Sequence, residues 1–245
     1  MSDTLIETRV EDHIGWVILN RPDALNALSR ALRTQMVTAL DAMGADDAVR
    51  VVAIMGRGRA FCAGVDLKEL SVSTESVSVS DADIDTAAAL ARLAKPTIAA
   101  VNGLAVTGGF ELVLNCDMAL AARSAWFCDT HGKVGLLPGW GLSQRLPRLI
   151  GPHRAKEISL TARRVTAEEA DRLGFINRVV EDDALVAEVT ALAQSIAAFD
   201  PDTIAGLKHQ IDEGYGMNMA DALVYEREAS RRANGQRTVA KDILG

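Results

Sequence analysis

The sequence predicts an α/β fold over residues 1–180 and a purely helical region over residues 181–245. Up to about residue 180, short apolar runs bounded by turn residues alternate with segments of helical spacing, and only helical spacing follows. The chain of 245 residues is 49% hydrophobic and 24% charged, as is ordinary for a globular protein. We therefore expect one core of alternating strands and helices, extended by C-terminal helices.

The N-terminal segment predicts a β-hairpin followed by a helix. Residues 8–20 form two apolar runs that turn at Asp12 and His13, and Pro22 ends the second run because it lacks an amide donor. Ser29 is placed to cap the next helix. The apolar residues of that helix recur at helical spacing: Leu32, Met36, Val37 and Leu40.

The central segment predicts buried strands separated by turns and helices. Apolar runs predict strands at residues 49–55, 97–101 and 118–122. An alanine-rich helix is expected at residues 85–93. A glycine pair opens a further helix at residues 110–115.

Residues 71–80 form a low-complexity segment that has two interpretations. Its serines predict a mobile surface segment, whereas its alternating valines are compatible with a strand. The sequence does not decide whether this segment closes over a pocket.

The last third of the chain predicts a capped helix, a strand and three further helices. Thr166 and Glu169 have capping-box spacing and Gly174 suits a left-handed C-terminal position, so residues 167–173 are expected to be helical. A strand is expected at residues 175–180. Helical spacing then covers residues 184–198, 203–213 and 218–233.

Charge and residue usage argue against several function classes. With 26 Lys and Arg against 33 Asp and Glu, the net charge of −7 disfavours binding to nucleic acid. Three cysteines without framework spacing and four scattered histidines favour neither a disulfide scaffold nor a metal site. No secretory signal or membrane-spanning run is visible. We expect a cytoplasmic protein without a metal, a nucleic-acid partner or a membrane partner.

Common nucleotide-binding and hydrolase motifs do not occur in this sequence. The glycine-bearing segments at residues 56–61 and 139–144 both lack the third glycine of a dinucleotide fingerprint. Neither a phosphate-binding P-loop motif nor a G-x-S-x-G nucleophile elbow is present. A serine hydrolase of the α/β kind is therefore not expected.

Two glycine-bearing turns, within residues 59–68 and 101–112, are the most informative local features. In each, a buried strand meets a turn at the start of a helix, where backbone amides are exposed and the helix dipole is positive. Two such amides that converge on one oxygen form an oxyanion hole. Glu111 then lies on the first turn of the second helix. The alternative is that the glycines only let strands pack closely on helices.

Several motifs, in one order along nearly the whole chain, resemble those of the enoyl-CoA hydratase/isomerase family, or crotonase superfamily. The resemblance implies a spiral of ββα units over residues 1–180 that binds acyl-CoA. It also implies C-terminal helices over residues 181–245 that cover the acyl pocket and assemble homotrimers or dimers of trimers. The matching segments are residues 19–22, 26–28, 59–68, 95–96, 101–117, 138–139, 144–147 and 166–174.

The resemblance implies an oxyanion hole and a binding surface for coenzyme A. The amides of Val65 and Gly108 match the donors that polarise a thioester carbonyl and stabilise an enolate. Ala63, Asp66 and Leu67 match the turn that contacts the adenine end of coenzyme A. Coenzyme A is part of the substrate, and no separate cofactor is expected.

Other positions match family contacts to the phosphates, the water and the acyl chain. Arg59 and Lys68 match basic positions near the phosphates, whereas Asp23 stands where the family often has lysine. Gly139 matches an amide that holds the water in hydratases. Trp140 replaces a small residue and either narrows the acyl pocket or serves in packing.

The acid–base pair is where this sequence departs from the family pattern. Hydratases of the family use two glutamates, and Glu111 matches the first, whereas His131 occupies the position of the second. Histidine can do acid–base work near neutral pH. Asp129, which would share the face of His131 on an extended segment, is a candidate substitute carboxylate.

The function that the resemblance favours most is hydration of a 2-enoyl-CoA to a 3-hydroxyacyl-CoA. Three interpretations of His131 remain open: it replaces glutamate in a working hydratase, it serves another enolate reaction, or it lines the pocket of a weak or inactive member. The alternatives are therefore an isomerase, hydrolase or decarboxylase of the same type, or a catalytically degenerate acyl-CoA-binding protein.

Overall fold

The structure, a computed structural model, describes residues 4–72 and 84–235. Of the low-complexity segment, residues 73–80 lie outside the described residues, so both of its interpretations stay predictions. The chain divides into two units, Met1–Ala198 and Phe199–Gly245.

The described residues form ten strands in two sheets. The first sheet has the order β1-β2-β3-β5-β7-β10 and the second has the order β4-β6-β8-β9. Neighbouring strands are parallel except for the pairs β1–β2 and β8–β9. The strands are β1 Ile6–Glu11, β2 Ile14–Leu19, β3 Val51–Gly56, β4 Ala60–Cys62, β5 Thr97–Val101, β6 Leu104–Val106, β7 Met118–Ala122, β8 Trp126–Cys128, β9 Val165–Thr166 and β10 Arg178–Val180.

Eleven α-helices accompany these strands within the described ranges. None of them is long and apolar enough to span a membrane. The helices are α1 Arg30–Ala45, α2 Leu67–Val72, α3 Thr86–Arg92, α4 Gly108–Asn115, α5 His131–Val134, α6 Leu142–Ile150, α7 Pro152–Thr161, α8 Ala167–Leu173, α9 Leu185–Ala197, α10 Pro201–Tyr215 and α11 Met219–Asn234.

The predicted N-terminal hairpin and the capped helix after it are confirmed. Asp12 and His13 have φ values of 48° and 65°, the left-handed conformation that a two-residue hairpin turn requires. The Ser29 hydroxyl accepts a hydrogen bond from the Leu32 amide at 3.3 Å and so caps α1.

The first sheet is covered by helices, which explains why its central strands are apolar throughout. Strands β3, β5 and β7 are almost fully buried, and α9 packs against all three. The first unit therefore extends to Ala198, beyond the boundary predicted at residue 180. The buried face of α9 follows helical spacing and consists of Leu185, Val189, Ala193 and Ala197.

The second sheet consists of very short strands, and the sequence analysis indicated a strand at β4, within residues 59–68, but no sheet. Strand β4 follows β3 after residues 57–59, β6 follows β5 after residues 102–103, and β8 follows β7 after residues 123–125. Each short strand leads to a helix: α2, α4 and α5, respectively. This repeated strand–strand–helix order is the spiral of ββα units that the resemblance implies.

The second unit contains α10 and α11, which pack against each other. Asp200 caps α10 by accepting from the Thr203 amide at 2.9 Å, and Asn218 caps α11 by accepting from the Asp221 amide at 3.1 Å. Several apolar side chains of these helices are exposed: Leu207, Ile211, Met219, Leu223 and Val224. A role of this unit in assembly stays a prediction.

Candidate active site

A cavity of about 240 Å³ lies at the N-terminus of α4. Its wall comes from the turn after β4, the first turn of α4, helix α5 and the segment before α6. Among the lining residues are seven that the sequence predicted for the site: Ala63, Val65, Leu67, Glu111, His131, Gly139 and Trp140.

The two glycine turns singled out in the sequence come together at this cavity. A Cβ added to Gly64 would lie 3.2 Å from the nitrogen of Gly108, so the two backbones nearly touch. Gly64 has a φ of 91°, a conformation that favours glycine. Among the described residues, no acceptor pairs with the amide of Val65 or of Gly108. The geometry thus provides two free backbone donors on adjacent turns, as an oxyanion hole needs.

Thr107, which precedes the glycine pair, is a site residue that the sequence analysis missed. Its φ of 52° and ψ of −111° are unusual for a β-branched residue, and it lines the cavity. Its amide donates to the carbonyl of Cys128 at 2.8 Å, and its hydroxyl is hydrogen-bonded to that of Thr130. A β-branched residue directly before Gly-Gly at a helix start is the sequence signal that could have found it.

Glu111 is a buried carboxyl on the first turn of α4. Its Oε1 accepts hydrogen bonds from the amides of Trp140 at 2.8 Å and Leu142 at 3.3 Å. Burial raises the pKa of Glu111 above its ordinary value, although the amides and the neighbouring His131 partly oppose this rise. The carboxyl is therefore held in place at one oxygen and predisposed to carry a proton, as a general acid–base requires.

His131 faces Glu111 across the cavity. Its Nε2 lies 3.6 Å from Oε2 of Glu111, and only 7% of the residue is exposed. Its other ring nitrogen, Nδ1, lies 2.7 Å from Oδ1 of Asp129. The two residues predicted for acid–base chemistry are therefore brought together, with the imidazole between two carboxyls.

Asp129 lies behind His131 and is not among the residues that line the cavity. Burial alone would raise the pKa of Asp129, but hydrogen bonds from His131 and Ser159 outweigh it and hold that pKa below its ordinary value. Asp129 does share the face of His131, but its carboxylate contacts the imidazole rather than the cavity.

Trp140 serves both in packing and in lining the cavity. The residue is buried, and a Cβ added to Gly108 would lie 3.1 Å from its ring. Its carbonyl accepts from the side-chain amide of Asn115 at 2.7 Å, while its own amide holds Glu111. The two interpretations of this tryptophan are therefore compatible.

The side chain of Asp66 is engaged within the protein. It accepts from the guanidinium of Arg21 at 2.5 Å and from the amides of Lys68 at 3.0 Å and Glu69 at 3.3 Å, which caps α2. A contact from this position to a ligand would therefore come from its backbone. Arg59 and Lys68 are exposed and are not among the cavity-lining residues, as suits contacts to a ligand portion that extends outside.

Comparisons with known proteins agree with this fold and site. The family model "Enoyl-CoA hydratase/isomerase" matches residues 9–242. A probable peroxisomal enoyl-CoA hydratase of Arabidopsis thaliana is 40% identical over 232 residues, covering 93% of this chain and 86% of that protein. A probable mitochondrial enoyl-CoA hydratase of Dictyostelium discoideum is 37% identical, covering 90% of this chain and 79% of that protein.

Solved structures give the same result. The crystal structure of an enoyl-CoA hydratase from Bacillus anthracis superposes with a TM-score of 0.90 at 35% identity, covering 98% of this chain and 93% of that one. An enoyl-CoA hydratase from Mycobacterium tuberculosis superposes with a TM-score of 0.77 at 37% identity, covering 93% of this chain and 98% of that one. The chain belongs to the enoyl-CoA hydratase/isomerase family.

Proposed function

We propose that this protein is an enoyl-CoA hydratase, which adds water to a 2-enoyl-CoA and releases a 3-hydroxyacyl-CoA. The observation that carries the proposal is the placement of Glu111 and His131, 3.6 Å apart, beside the free amides of Val65 and Gly108. Relatives that carry the name enoyl-CoA hydratase support the same reaction.

The two amides stabilise the charge that develops on the thioester oxygen. When water adds to C3 of the enoyl group, electrons move through C2 toward this oxygen. Backbone donors placed in advance stabilise this enolate without reorganising during the reaction. Removing one such donor from an enzyme typically reduces kcat about 10²- to 10³-fold.

Glu111 and His131 divide the proton transfers. Ionised Glu111 takes a proton from the water whose oxygen bonds to C3, and His131, protonated at Nε2, gives its proton to C2. Glu111 then returns its proton to His131 across the 3.6 Å between Oε2 and Nε2. The water has then contributed its hydroxyl to C3 and, in net terms, a proton to C2, and both side chains regain their initial states.

The substrate's coenzyme A moiety and acyl chain are assigned to different residues around this centre. Exposed Arg59 and Lys68 are placed to bind phosphate oxygens, and the turn of Ala63, Asp66 and Leu67 to contact the adenine end. Buried Trp140 limits the space for the acyl chain. Coenzyme A arrives as part of the substrate, and the reaction needs no separate cofactor.

We further propose a cytoplasmic enzyme of fatty-acid metabolism that works as a homotrimer or a dimer of trimers. The exposed apolar side chains of α10 and α11 support assembly, because burying exposed apolar surface favours association. Size-exclusion chromatography with light scattering separates a monomer from a trimer and a hexamer.

Hydration of crotonyl-CoA tests the proposed reaction. Loss of the absorbance of the conjugated thioester is followed with wild type, Glu111→Ala and His131→Ala. Both variants are expected to lose about 10²-fold or more of kcat, since general acid–base groups contribute about 10²- to 10⁴-fold. The exposed Glu11 and His153 provide matched controls, because Glu11→Ala and His153→Ala remove the same side chains away from the cavity.

Each outcome of this assay has a distinct meaning. Undiminished turnover by Glu111→Ala would contradict the assignment of the base. Acyl-CoA binding by wild type without turnover over a panel of enoyl-CoA chain lengths would contradict the hydratase and favour a binding protein. Activity that appears only in His131→Glu would mean that the fold supports hydration but that the natural reaction is another one.

A further inference from the structure

Asp129 is a buried carboxylate that the proposed reaction does not yet use. It directly follows β8, and only 1% of the residue is exposed. Its Oδ1 accepts from the backbone amide of His131 at 3.1 Å and lies 2.7 Å from Nδ1 of the same residue. The carboxylate is thus held by the backbone amide of His131 and presented to Nδ1 of the same residue.

This arrangement determines which nitrogen of His131 carries the first proton. An ionised carboxylate only accepts hydrogen bonds, so Nδ1 must be the protonated nitrogen of the neutral ring. Nε2 is then the nitrogen that gains or loses a proton, and it is the one that faces Glu111. Among described residues, the titratable groups against the ring are Glu111 on α4 and Asp129, whereas Lys133 of α5 donates to the carbonyl of Ala162.

We propose, resting on the proposed function, that Asp129 is a positioning residue that fixes the tautomer of His131. Asp129 and His131 together are then equivalent to one carboxyl group. Ionised Asp129 with a neutral ring carries one negative charge, and with a protonated ring it carries none. These are the charges of a carboxylate and of a carboxylic acid. A neutral imidazole alone could not supply the negative charge, so the pair, rather than His131 by itself, stands opposite Glu111.

This equivalence explains how a histidine can occupy position 131 while the site keeps the charge that it would have with a glutamate there. In the protonated state, the ring presents Nε2–H to the cavity, as a carboxylic acid presents its O–H. In the deprotonated state, Asp129 retains the negative charge next to the ring. The proton transfer between Oε2 of Glu111 and Nε2 therefore occurs between groups of the same charge types as in a pair of glutamates.

Nitrogen-15 NMR of His131 in the wild-type protein tests the inference without reference to activity. Spectra are recorded at a pH high enough for the ring to be neutral. The neutral ring is then expected to carry its proton on Nδ1, and His131→Gln identifies the signals. A neutral ring that carries its proton on Nε2 would overturn the proposal by itself. In Asp129→Asn the Nδ1–H form is expected to lose its predominance, and an unchanged tautomer would also overturn it.

A double-mutant comparison separates positioning from general support of the fold. Asp129→Asn is expected to lower kcat about 10²-fold or more, within the range that acid–base groups contribute. The same substitution in a His131→Glu background is expected to change kcat less than about 3-fold, because the imidazole is no longer there to be positioned. Equal losses in both backgrounds would refute the positioning role.

The control and the readouts keep this proposal distinct from the hydratase proposal. Asp171→Asn makes the same chemical change at an exposed position of α8 and is expected to keep wild-type kcat. If wild type fails to hydrate any enoyl-CoA while its NMR spectrum shows the predicted tautomer and its dependence on Asp129, the positioning stands and the proposed reaction fails.

Discussion

Replacing Gly109 with alanine adds one methyl group, which should push α4 and its active-site residues away from β4. Gly109 is the second residue of α4, the helix that carries both Gly108 and Glu111. A Cβ at this position would lie 2.2 Å from the carbonyl oxygen of Cys62 and 2.8 Å from its carbonyl carbon. Both are backbone atoms of β4, so neither can rotate out of the way.

The size of the effect follows from these distances. Ordinary contact begins at 3.4 Å, so α4 and β4 would have to move apart by about 1.2 Å at this point. Overpacking of this kind destabilises a protein by about 1–3 kcal/mol. A misplacement of about 1 Å at a catalytic centre reduces the rate by about 10²-fold. The methyl group should therefore reduce kcat far more than the loss of stability alone would explain.

The assay combines crotonyl-CoA hydration with thermal unfolding. Gly109→Ala is expected to lose about 10²-fold of kcat and to remain folded at 25 °C, since each kcal/mol lowers Tm by about 2–4 °C at this size. Gly132→Ala adds the same methyl group where nothing lies within 4 Å, and it should keep both properties. Wild-type kcat in folded Gly109→Ala would refute the close approach of α4 and β4.

Three further predictions concern charge and pocket shape. Burial raises the pKa of Glu111, so the contribution of this carboxyl to stability is present at low pH and is lost as pH rises through its folded-state pKa. Glu111→Gln should therefore raise the free energy of unfolding by about 0.5–2 kcal/mol at pH 8 and by less at pH 4. A variant that is destabilised at pH 8 would contradict this. Burial opposes ionisation of Asp66, but Arg21 and two amides hold its pKa below the ordinary value, so its contribution is present above about pH 4 and is lost as pH falls through the folded-state value. Asp66→Asn should lower stability by about 1–2 kcal/mol in urea unfolding at pH 7, and a loss of equal size at pH 2.5 would argue against it. Trp140→Leu should shift the ratio of kcat/KM toward longer enoyl-CoA chains by about tenfold or more; an unchanged ratio would mean that the ring serves only in packing.

The sequence predicted those elements whose conformation depends on residues close to one another in the chain. The turn at Asp12 and His13 and the helix between Thr166 and Gly174 depend on neighbouring residues alone. The strand expected at residues 175–180 is shorter, at Arg178–Val180, because Phe175 instead packs into the core. An apolar run alone does not reveal whether it pairs in a sheet or packs as a buried turn.

The parts of the fold and site that the sequence did not predict depend on contacts between segments that are distant in the chain. Strands β4, β6 and β8 have three residues each, too few for an alternating pattern, and they form only because the spiral stacks them. The bond from the Trp140 amide to Glu111 joins residues 29 apart in sequence. The resemblance placed Glu111 and His131 at one centre, but only the structure shows Asp129 bonded to the imidazole.

The hydrogen bond from Trp140 to Glu111 bears on how such a pocket can evolve. The donor is a backbone amide, so every residue except proline at this position retains it. The indole, in contrast, forms the cavity wall and varies freely in principle. At position 140, the backbone amide that holds Glu111 is retained when the residue changes, whereas the side chain that shapes the acyl pocket is replaced. Lineages can diversify their acyl specificity here while the machinery for proton transfer stays in place.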